Sequence, residues 1–599
     1  MRDIEKSNTF HILSKSEKTI ECDLSLTTSL PRKLAITAIG VQGFDDIIMK
    51  NYFYVDKTNF IKEWWESGNV VTLITRPRRF GKTLTMSMVE CFFSIHYQEK
   101  GEKLFKKLDI WKEPYYQQLQ GTYPVINLSF SEIKGKTFEN TRASICKVIA
   151  NLYEACRFLQ TSGILSRTEN IRFEEICENA KNMDDVDASF SLRELSEYLY
   201  RYYGKRVIIL LDEYDTPMQE AYVNGYWEEL VDFLRGLFGS TFKANRYLER
   251  AIMTGITRVS KESIFSDLNN LKVITSTSNE YATTFGFTEE EVLQALDEYN
   301  LSDVKEKTKE WYNGFTFGEY SNIYNPWSIL NLLDTKKYSG YWTNTSSNAL
   351  IKNLIQKSSR KVKEKFEKLL QGETIQELID EQIVFNQLDT NPSAIWSLLL
   401  ASGYLKLVTF EDETTIGGKR NCWLAVTNKE TMDLFYGMVY DWFSNVESYN
   451  DFINALLEND VENMNDYMND IALKTFSSFD GGKQESEKTE PERFYHGFVL
   501  GLLVELRGKY SITSNRESGR GRYDITLKPL NSKEENAYIF EFKVFHPKKD
   551  KTLERTAQVA LEQIRENAYT IELVTEGYQS IHTYGFAFRG KEVLIEKGE

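Results

Sequence analysis

Gly81-Lys82-Thr83 closes a tight basic loop, Arg76-Pro77-Arg78-Arg79-Phe80. The loop follows a β-branched run at 70–75 and opens onto an amphipathic run through Leu84, Met86, Met88, Val89, Phe92 and Phe93. Strand, loop and helix with Gly-Lys-Thr at the helix start is the context that a phosphate-binding loop requires. Unpaired amides and the positive end of the helix dipole then face an anion. In that arrangement Lys82 reaches the β- and γ-phosphates and the Thr83 hydroxyl holds Mg²⁺. One position departs from the general pattern, because Arg76 stands where the first glycine of such loops belongs.

A second acidic constellation supports the first. Val207-Ile208-Ile209-Leu210-Leu211 runs straight into Asp212-Glu213-Tyr214-Asp215, the signature of a buried parallel strand whose carboxyl end meets a ligand. Asp212 would bind Mg²⁺, and Glu213 would orient and polarise the attacking water. A third strand, expected over 250–258, ends in Thr257 and Arg258, a hydroxyl and a guanidinium suited to sensing a γ-phosphate. Arg258 equally fits an ordinary surface arginine.

Far along the chain lies a different chemistry. Asp524 sits in the apolar-alternating run Tyr523-Asp524-Ile525-Thr526-Leu527, and sixteen residues separate it from Glu541-Phe542-Lys543. Alternation puts Glu541 and Lys543 on one strand face and Phe540 and Phe542 on the other. Asp524 and Glu541, with the Phe542 carbonyl, can bind a hard cation such as Mg²⁺ through oxygen. Lys543 beside it would position or deprotonate a water that attacks phosphorus. A Glu-x-Lys triplet alone carries little weight, since Glu132-Ile133-Lys134 also satisfies it. The strand context and the following helix with Gln563 give it meaning. His496 fits a helix-face or nucleic-acid-contacting role better than a metal ligand, and Glu505 and Glu517 are supporting candidates. Arg516, Arg520, Arg522, Lys543, Lys548, Lys549, Lys551 and Arg555 cluster around this site, a local basic patch suited to a phosphate backbone.

The elements that must position these groups fill a chain of 599 residues, room for three or four domains. Hydrophobic content of 41% and charged content of 27% are ordinary for a globular protein. The net charge of −15 excludes a global basic footprint, so nucleic acid must be met by a local patch. The 6 cysteines show no C-x-x-C and no metal-ligand spacing, as expected of reduced thiols in the cytoplasm. No signal-peptide core or membrane-length apolar run is read, so no membrane partner is expected. Tyr52-Phe53-Tyr54-Val55-Asp56-Lys57-Thr58 reads as a strand end with a helix cap at Asp56 or Thr58. Residues 138–204 read as helical, with a charged, poorly periodic stretch near 167–185. An apolar helix is expected over 494–506, and residues 517–522 are expected as a loop before the Asp524 strand.

Taken together, Tyr54-Val55-Asp56-Lys57-Thr58, Arg76 to Thr83, Leu211 to Asp215 and Gly255-Ile256-Thr257-Arg258 resemble the AAA-ATPase-like family, usually paired with a C-terminal PD-(D/E)XK nuclease-like domain. Trp311-Tyr312-Asn313-Gly314-Phe315 and Tyr324-Asn325-Pro326-Trp327-Ser328 fit it as well, and Arg76 is then the family's own form of the loop. Thr427, before Asn428 and Glu430, stands where the family often has Pro. Residues 1–34 read as an extension outside the resemblance, which implies an α/β architecture: a P-loop ATPase domain with a parallel sheet (35–287) and a helical lid (288–345). A helical, winged-helix-like region (346–476), a linker (477–492) and a restriction-endonuclease-like α/β domain (493–599) follow. It implies ATP held by Arg79, Phe80, Gly81, Lys82, Thr83, Leu84, Asp212 and Arg258, with Mg²⁺ on Thr83 and Asp212. A second Mg²⁺ would sit on Asp524, Glu541 and Phe542, with Glu213, Asp524, Glu541 and Lys543 catalytic and Arg520, Arg522 and Gln563 touching nucleic acid. The expected activity is ATP hydrolysis coupled to phosphodiester cleavage, with DNA ahead of RNA as partner. A homo-oligomer, in which Arg258 acts on a neighbour, stays open. The rival is a nucleotide-switched protein that binds nucleic acid without cutting it.

Overall fold

The computed structural model describes residues 34–599 except 244, 258–263, 266–267, 346–350, 353, 356–357, 359, 371, 381–393, 417–418, 444–447, 477–498, 500–501, 519–520, 547–549, 591 and 599. Within it the sequence alternates strand and helix from β1 (Val71–Thr75) through β2 (Val125–Ser129), β3 (Val207–Asp212), β4 (Leu248–Gly255) and β5 (Leu271–Ile274). These form one parallel sheet in the order β2-β3-β4-β1-β5. Both faces are covered, which is why β1 is buried along its whole length and β3 reads as an unbroken apolar run up to Asp212. Alternation divides each strand between two cores: Ile208 and Leu210 pack with Met86 and Val89 of the helix Lys82–Phe93, while Ile209 and Leu211 pack with Leu230 and Leu234 on the other side.

Two sequence expectations change in this half. No strand forms over 52–58, because Phe53 and Val55 pack into one core and Tyr54 into another, leaving the segment extended but unpaired. The helical reading of 138–204 holds even in its charged stretch, where the helix Arg167–Glu178 is started by a Ser166–Glu169 capping box. The third strand stops at Gly255, and Arg258 lies outside the described residues.

Past this sheet come the helices Glu289–Glu298, Lys305–Tyr312 and Pro326–Thr335, with a hairpin of β6 (Phe315–Phe317) and β7 (Tyr320–Ile323) among them. Next, β8 (Ile375–Ile379), β9 (Leu405–Ile416) and β10 (Lys419–Val426) make an antiparallel sheet in the order β8-β10-β9. The helix Ala394–Ala401 turns into β9 at Gly403, and the helix Lys429–Phe443 follows β10.

The C-terminal sheet runs β11 (Tyr510–Ser518), β12 (Gly521–Pro529), β13 (Ala537–Val544), β14 (Ile581–Arg589) and β15 (Glu592–Lys597), in that order. Only β13 and β14 pair in parallel, and the helix Leu553–Glu566 that joins them packs on the sheet. The expected loop at 517–522 is mostly strand: Ser518 pairs with Gly521, which leaves only residues 519–520 between β11 and β12. Of the apolar helix expected over 494–506, Val499 and Leu502 are helical, and Leu503–Gly508 is a 3₁₀ helix.

The middle and C-terminal parts are joined by specific bonds. Asn465 and Asn469, one turn apart on the helix Val461–Phe476, each bond the backbone of the edge strand β15. Asn465 exchanges bonds with Ile595 (2.9 and 2.7 Å), and Asn469 with Val593 (2.7 and 2.9 Å). The exposed row of a sheet edge is thereby occupied. No helix among the described residues is long and apolar enough to cross a membrane.

Gly403 shows how closely the parts fit. Its φ is +84°, and a Cβ there would lie 2.8 Å from the Pro77 ring and 2.9 Å from Phe315. Gly403→Ala is expected to destabilise by about 2 kcal/mol or more, strain and overlap together. Gly372→Ala, at φ +80° with open space around it, should cost only about 1 kcal/mol. Denaturant unfolding compares the two, and equal losses would deny the close packing.

Candidate functional site

The basic loop between β1 and the helix Lys82–Phe93 is held from beneath. Arg76 is fully buried, donating from Nη1 to the carbonyls of Thr75 (3.0 Å) and Thr275 (2.6 Å). Its guanidinium lies 4.5 Å from the Phe317 ring centre. Burial pulls it down to about 9, so it stays protonated at neutral pH. A glycine would have left this space empty, which accounts for the missing glycine at that position. Phe80 is also buried, its ring against Phe315 (4.8 Å) and Phe317 (5.5 Å), so only its backbone can meet a ligand. Arg79 adopts φ +65° and stacks at 4.3 Å on Trp327. Leu84 is partly buried against the same core.

Gly81, at φ +82°, starts the helix Lys82–Phe93 without a side-chain cap. Lys82 is buried and folded back, donating to the carbonyls of Arg76 (2.9 Å) and Pro77 (2.8 Å). Burial pulls its ammonium down, opposed by the nearby carboxylates Glu213, Asp212 and Asp215.

Because β4 lies between β1 and β3, its end closes the gap between loop and acids. Thr83 Oγ1 donates to Asp212 Oδ2 at 2.7 Å, and Thr254 of β4 donates to Asp212 Oδ1. A hydroxyl and a carboxylate so converged are a hard-cation donor set, which fits Mg²⁺. Glu213 is held at φ +51°, a conformation that non-glycine residues adopt at a cost of about 1–3 kcal/mol and that gathers at functional sites. Asp215 holds the end of β4: it accepts the amides of Ile256 (3.0 Å) and Thr257 (2.9 Å) and the Thr257 hydroxyl (2.9 Å). The Thr257 hydroxyl, expected to sense phosphate, is therefore engaged in fixing the strand end. Asp56 and Thr58 are structural too, since Asp56 takes the Thr58 amide at 2.9 Å and the Asp109 amide at 2.7 Å.

The loop is also bonded to the elements beyond the sheet, which the sequence did not foretell. The Arg78 carbonyl accepts Trp342 Nε1 (3.0 Å) and Asn325 Nδ2 (3.3 Å). The Trp342 amide in turn donates to Glu430 Oε1 (2.6 Å), while Ser328 Oγ donates to Glu430 Oε2 (2.9 Å). Glu430 lies fully buried in the first turn of the helix Lys429–Phe443, and burial pushes its carboxyl up to about 7. That helix packs against the 3₁₀ turn Leu503–Gly508 leading into β11. Thr427 joins the same junction, donating from Oγ1 to the Gly403 carbonyl at 2.8 Å. The Tyr324-to-Ser328 motif supplies Asn325, Trp327 and Ser328, the signal from which part of this lattice was legible.

In the C-terminal sheet, Glu541 is almost fully buried, with Lys543 Nζ 3.1 Å from its Oε1. Contrary to a simple polar face, Glu541 shares its side of β13 with Ala537 and Ile539 under the helix Leu553–Glu566, while Phe540 and Phe542 fill the opposite core. Of Asp524 only the strand position is described. The register Ile525↔Phe540, continued by one residue, sets positions 524 and 541 opposite one another. Arg520, His496, Lys548 and Lys549 lie outside the described residues, as do the side chains of Glu505, Arg516, Glu517 and Arg522. Arg522 is a strand residue paired with Glu517, not a loop residue. Gln563 sits in the last turn of its helix and bonds the Tyr569 hydroxyl at 3.3 Å rather than joining Glu541. Arg555 is ion-paired with Glu562 at 2.7 Å, which removes one charge from the expected basic patch. Among the described residues no three His, Cys, Asp or Glu side chains gather as a metal cluster.

Comparison with known proteins agrees with both halves of this picture. Residues 38–265 match the family profile described as predicted AAA-ATPase, and residues 490–598 match the PD-(D/E)XK nuclease superfamily. The chain therefore joins a predicted AAA-ATPase domain to a C-terminal domain of the PD-(D/E)XK nuclease superfamily. It is also similar to a protein of Azotobacter chroococcum mcd 1 described as an uncharacterized protein in the vnfD 5' region. The two are 24% identical over 562 residues, covering 92% of this chain and 96% of that one.

The buried Glu430 gives a signed pH prediction. Its carboxyl titrates higher in the folded protein than in the unfolded chain. Its stabilising contribution is therefore complete below the ordinary glutamate value of 4.5 and is lost as pH rises through about 7. Glu430→Gln keeps the hydrogen-bond geometry without the charge. The variant should gain on wild type by up to about 3 kcal/mol between pH 5 and pH 8. Thermal unfolding at both values reads this, and an offset that does not move with pH would contradict it.

Proposed function

We propose that the chain is an ATP-hydrolysing protein whose nucleotide state governs a Mg²⁺-dependent nuclease acting on nucleic acid. The observation that carries this reading is the convergence of Lys82, Thr83, Asp212 and Glu213 at one sheet edge, bonded through Trp342 and Glu430 toward a second site with Glu541 and Lys543.

In the first site, Gly81 and the amides that follow it cradle the phosphates. Lys82 leaves the carbonyls of Arg76 and Pro77 and turns to the β- and γ-phosphate oxygens. Thr83 and Asp212 hold the Mg²⁺, which offsets phosphate charge when bound. Glu213 orients the attacking water, and Arg258 remains a candidate γ-phosphate contact.

In the second site, Asp524, Glu541 and the Phe542 carbonyl supply the oxygen ligands for Mg²⁺, which would lower the barrier to attack on phosphorus by stabilising charge. Lys543 positions the water as the ammonium that the Glu541 carboxylate holds at 3.1 Å, or, once it has lost a proton, takes the water's proton as the neutral amine. Arg520, Arg522 and Gln563 contact the nucleic acid.

Cleavage of single- and double-stranded DNA and RNA with Mg²⁺, with and without ATP, tests the reading. Glu541→Ala should abolish cleavage, a loss of at least about a hundredfold if the metal is no longer held. Lys82→Ala should abolish ATP turnover and the ATP dependence of cleavage together. Retained, ATP-sensitive binding without any cleavage would instead make the protein a nucleotide-switched nucleic-acid binder.

A further inference from the structure

The loop carries arginines at 76, 78 and 79, and two are accounted for. Arg76 is sealed under the loop and Arg79 is stacked on Trp327. Arg78 is exposed, on the same loop that ends at Lys82. Two like charges on one loop beside the amides of a helix start mark a place prepared for an anion. Its side chain has a neutral hydrogen-bond partner, donating from Nη2 to Gln219 Oε1 at 3.3 Å. Gln219 in turn donates to Asp215 Oδ2 at 3.3 Å, on the segment that follows the acidic strand end Asp212-Glu213. The guanidinium thus reaches from the loop toward the acids. Its backbone is fixed by Trp342 and Asn325 at the Arg78 carbonyl.

Resting on the nucleotide reading above, we propose that Arg78 is a catalytic residue of ATP hydrolysis that contacts the terminal phosphate from within the loop. When a triphosphate is bound, the guanidinium exchanges its weak amide partner for γ-phosphate oxygens, to which it can donate a bidentate pair. Water attacks the γ-phosphorus and the bond to the β–γ bridging oxygen breaks. ADP leaves with that electron pair, and the proton of the water passes to the released phosphate. Negative charge spreads over the γ-oxygens and the bridging oxygen during this step, and a fixed guanidinium there stabilises the change. ADP lacks the group that Arg78 would touch, so the residue discriminates between the two nucleotides.

The test is ATP turnover and ADP affinity of the full chain in wild type, Arg78→Ala and Arg78→Lys. Arg78→Ala should lower kcat by about a hundredfold or more while leaving ADP affinity within about threefold. Arg78→Lys should fall between, because it keeps the charge and loses the fork. Retained ADP binding certifies that the altered loop is folded. Should Arg78→Ala fail to fold, Arg78→Lys decides alone, by its loss of kcat at preserved ADP affinity. A kcat within threefold of wild type in the folded variants overturns the assignment to Arg78 and leaves the nucleotide reading standing. A wild-type chain that neither binds ADP nor turns over ATP overturns the reading itself.

Discussion

A guanidinium buried where small loops keep a glycine sets the form of everything around it. Arg76 ties the end of β1 to the segment after β5 through the Thr75 and Thr275 carbonyls, and it lies over Phe317 of the β6–β7 hairpin. Burying a charge without partners would be prohibitive, so these carbonyls are part of the loop's structure rather than incidental contacts. With Arg76 beneath and Phe80 packed on Phe315 and Phe317, the loop cannot slide freely in its cradle. Its backbone groups are what remain available to a ligand.

From that anchored loop, order spreads by polar contacts between buried groups rather than by a continuous helix. The Arg78 carbonyl, Trp342, Glu430 and Ser328 form one chain of hydrogen bonds, in which Trp342, Glu430 and Ser328 are buried. In a medium of low dielectric such networks are costly to leave half-made, so they favour few arrangements over many. The helix Lys429–Phe443 carries Glu430 at one end of this chain and packs on the turn before β11, the edge strand of the nuclease-like sheet. A shift of the loop backbone therefore has a physical route outward.

Much of the architecture was legible, and the reasons are specific. β3 reads as an unbroken apolar run because both its faces are covered, and its acidic end marks the edge where ligands sit. Gly-Lys-Thr after β1 placed the helix start correctly at Lys82. What escaped the sequence were features set by tertiary contact. The segment at 52–58 has strand-like composition but feeds its rings into two cores, and nothing local encodes that. The expected loop at 517–522 became strand because cross-strand pairing extends almost to the turn, overriding its glycines and charges. The burial of Glu430 has no local signal, since the partners Ser328 and Trp342 lie about ninety to a hundred residues earlier in the chain. Of the site residues, Lys82, Thr83, Asp212 and Glu213 are brought together, as are Glu541 and Lys543, while Gln563 bonds Tyr569 instead.

In the proposed function the nucleotide loop and the nuclease-like domain move as linked parts. Hydrogen exchange of the full chain with and without ATP and Mg²⁺ tests it most directly. Linked parts predict altered amide protection at residues 342–345 and along Lys429–Phe443 as well as in the loop at 76–83. Changes confined to the loop and to residues 212–219, with Lys429–Phe443 untouched, would contradict it.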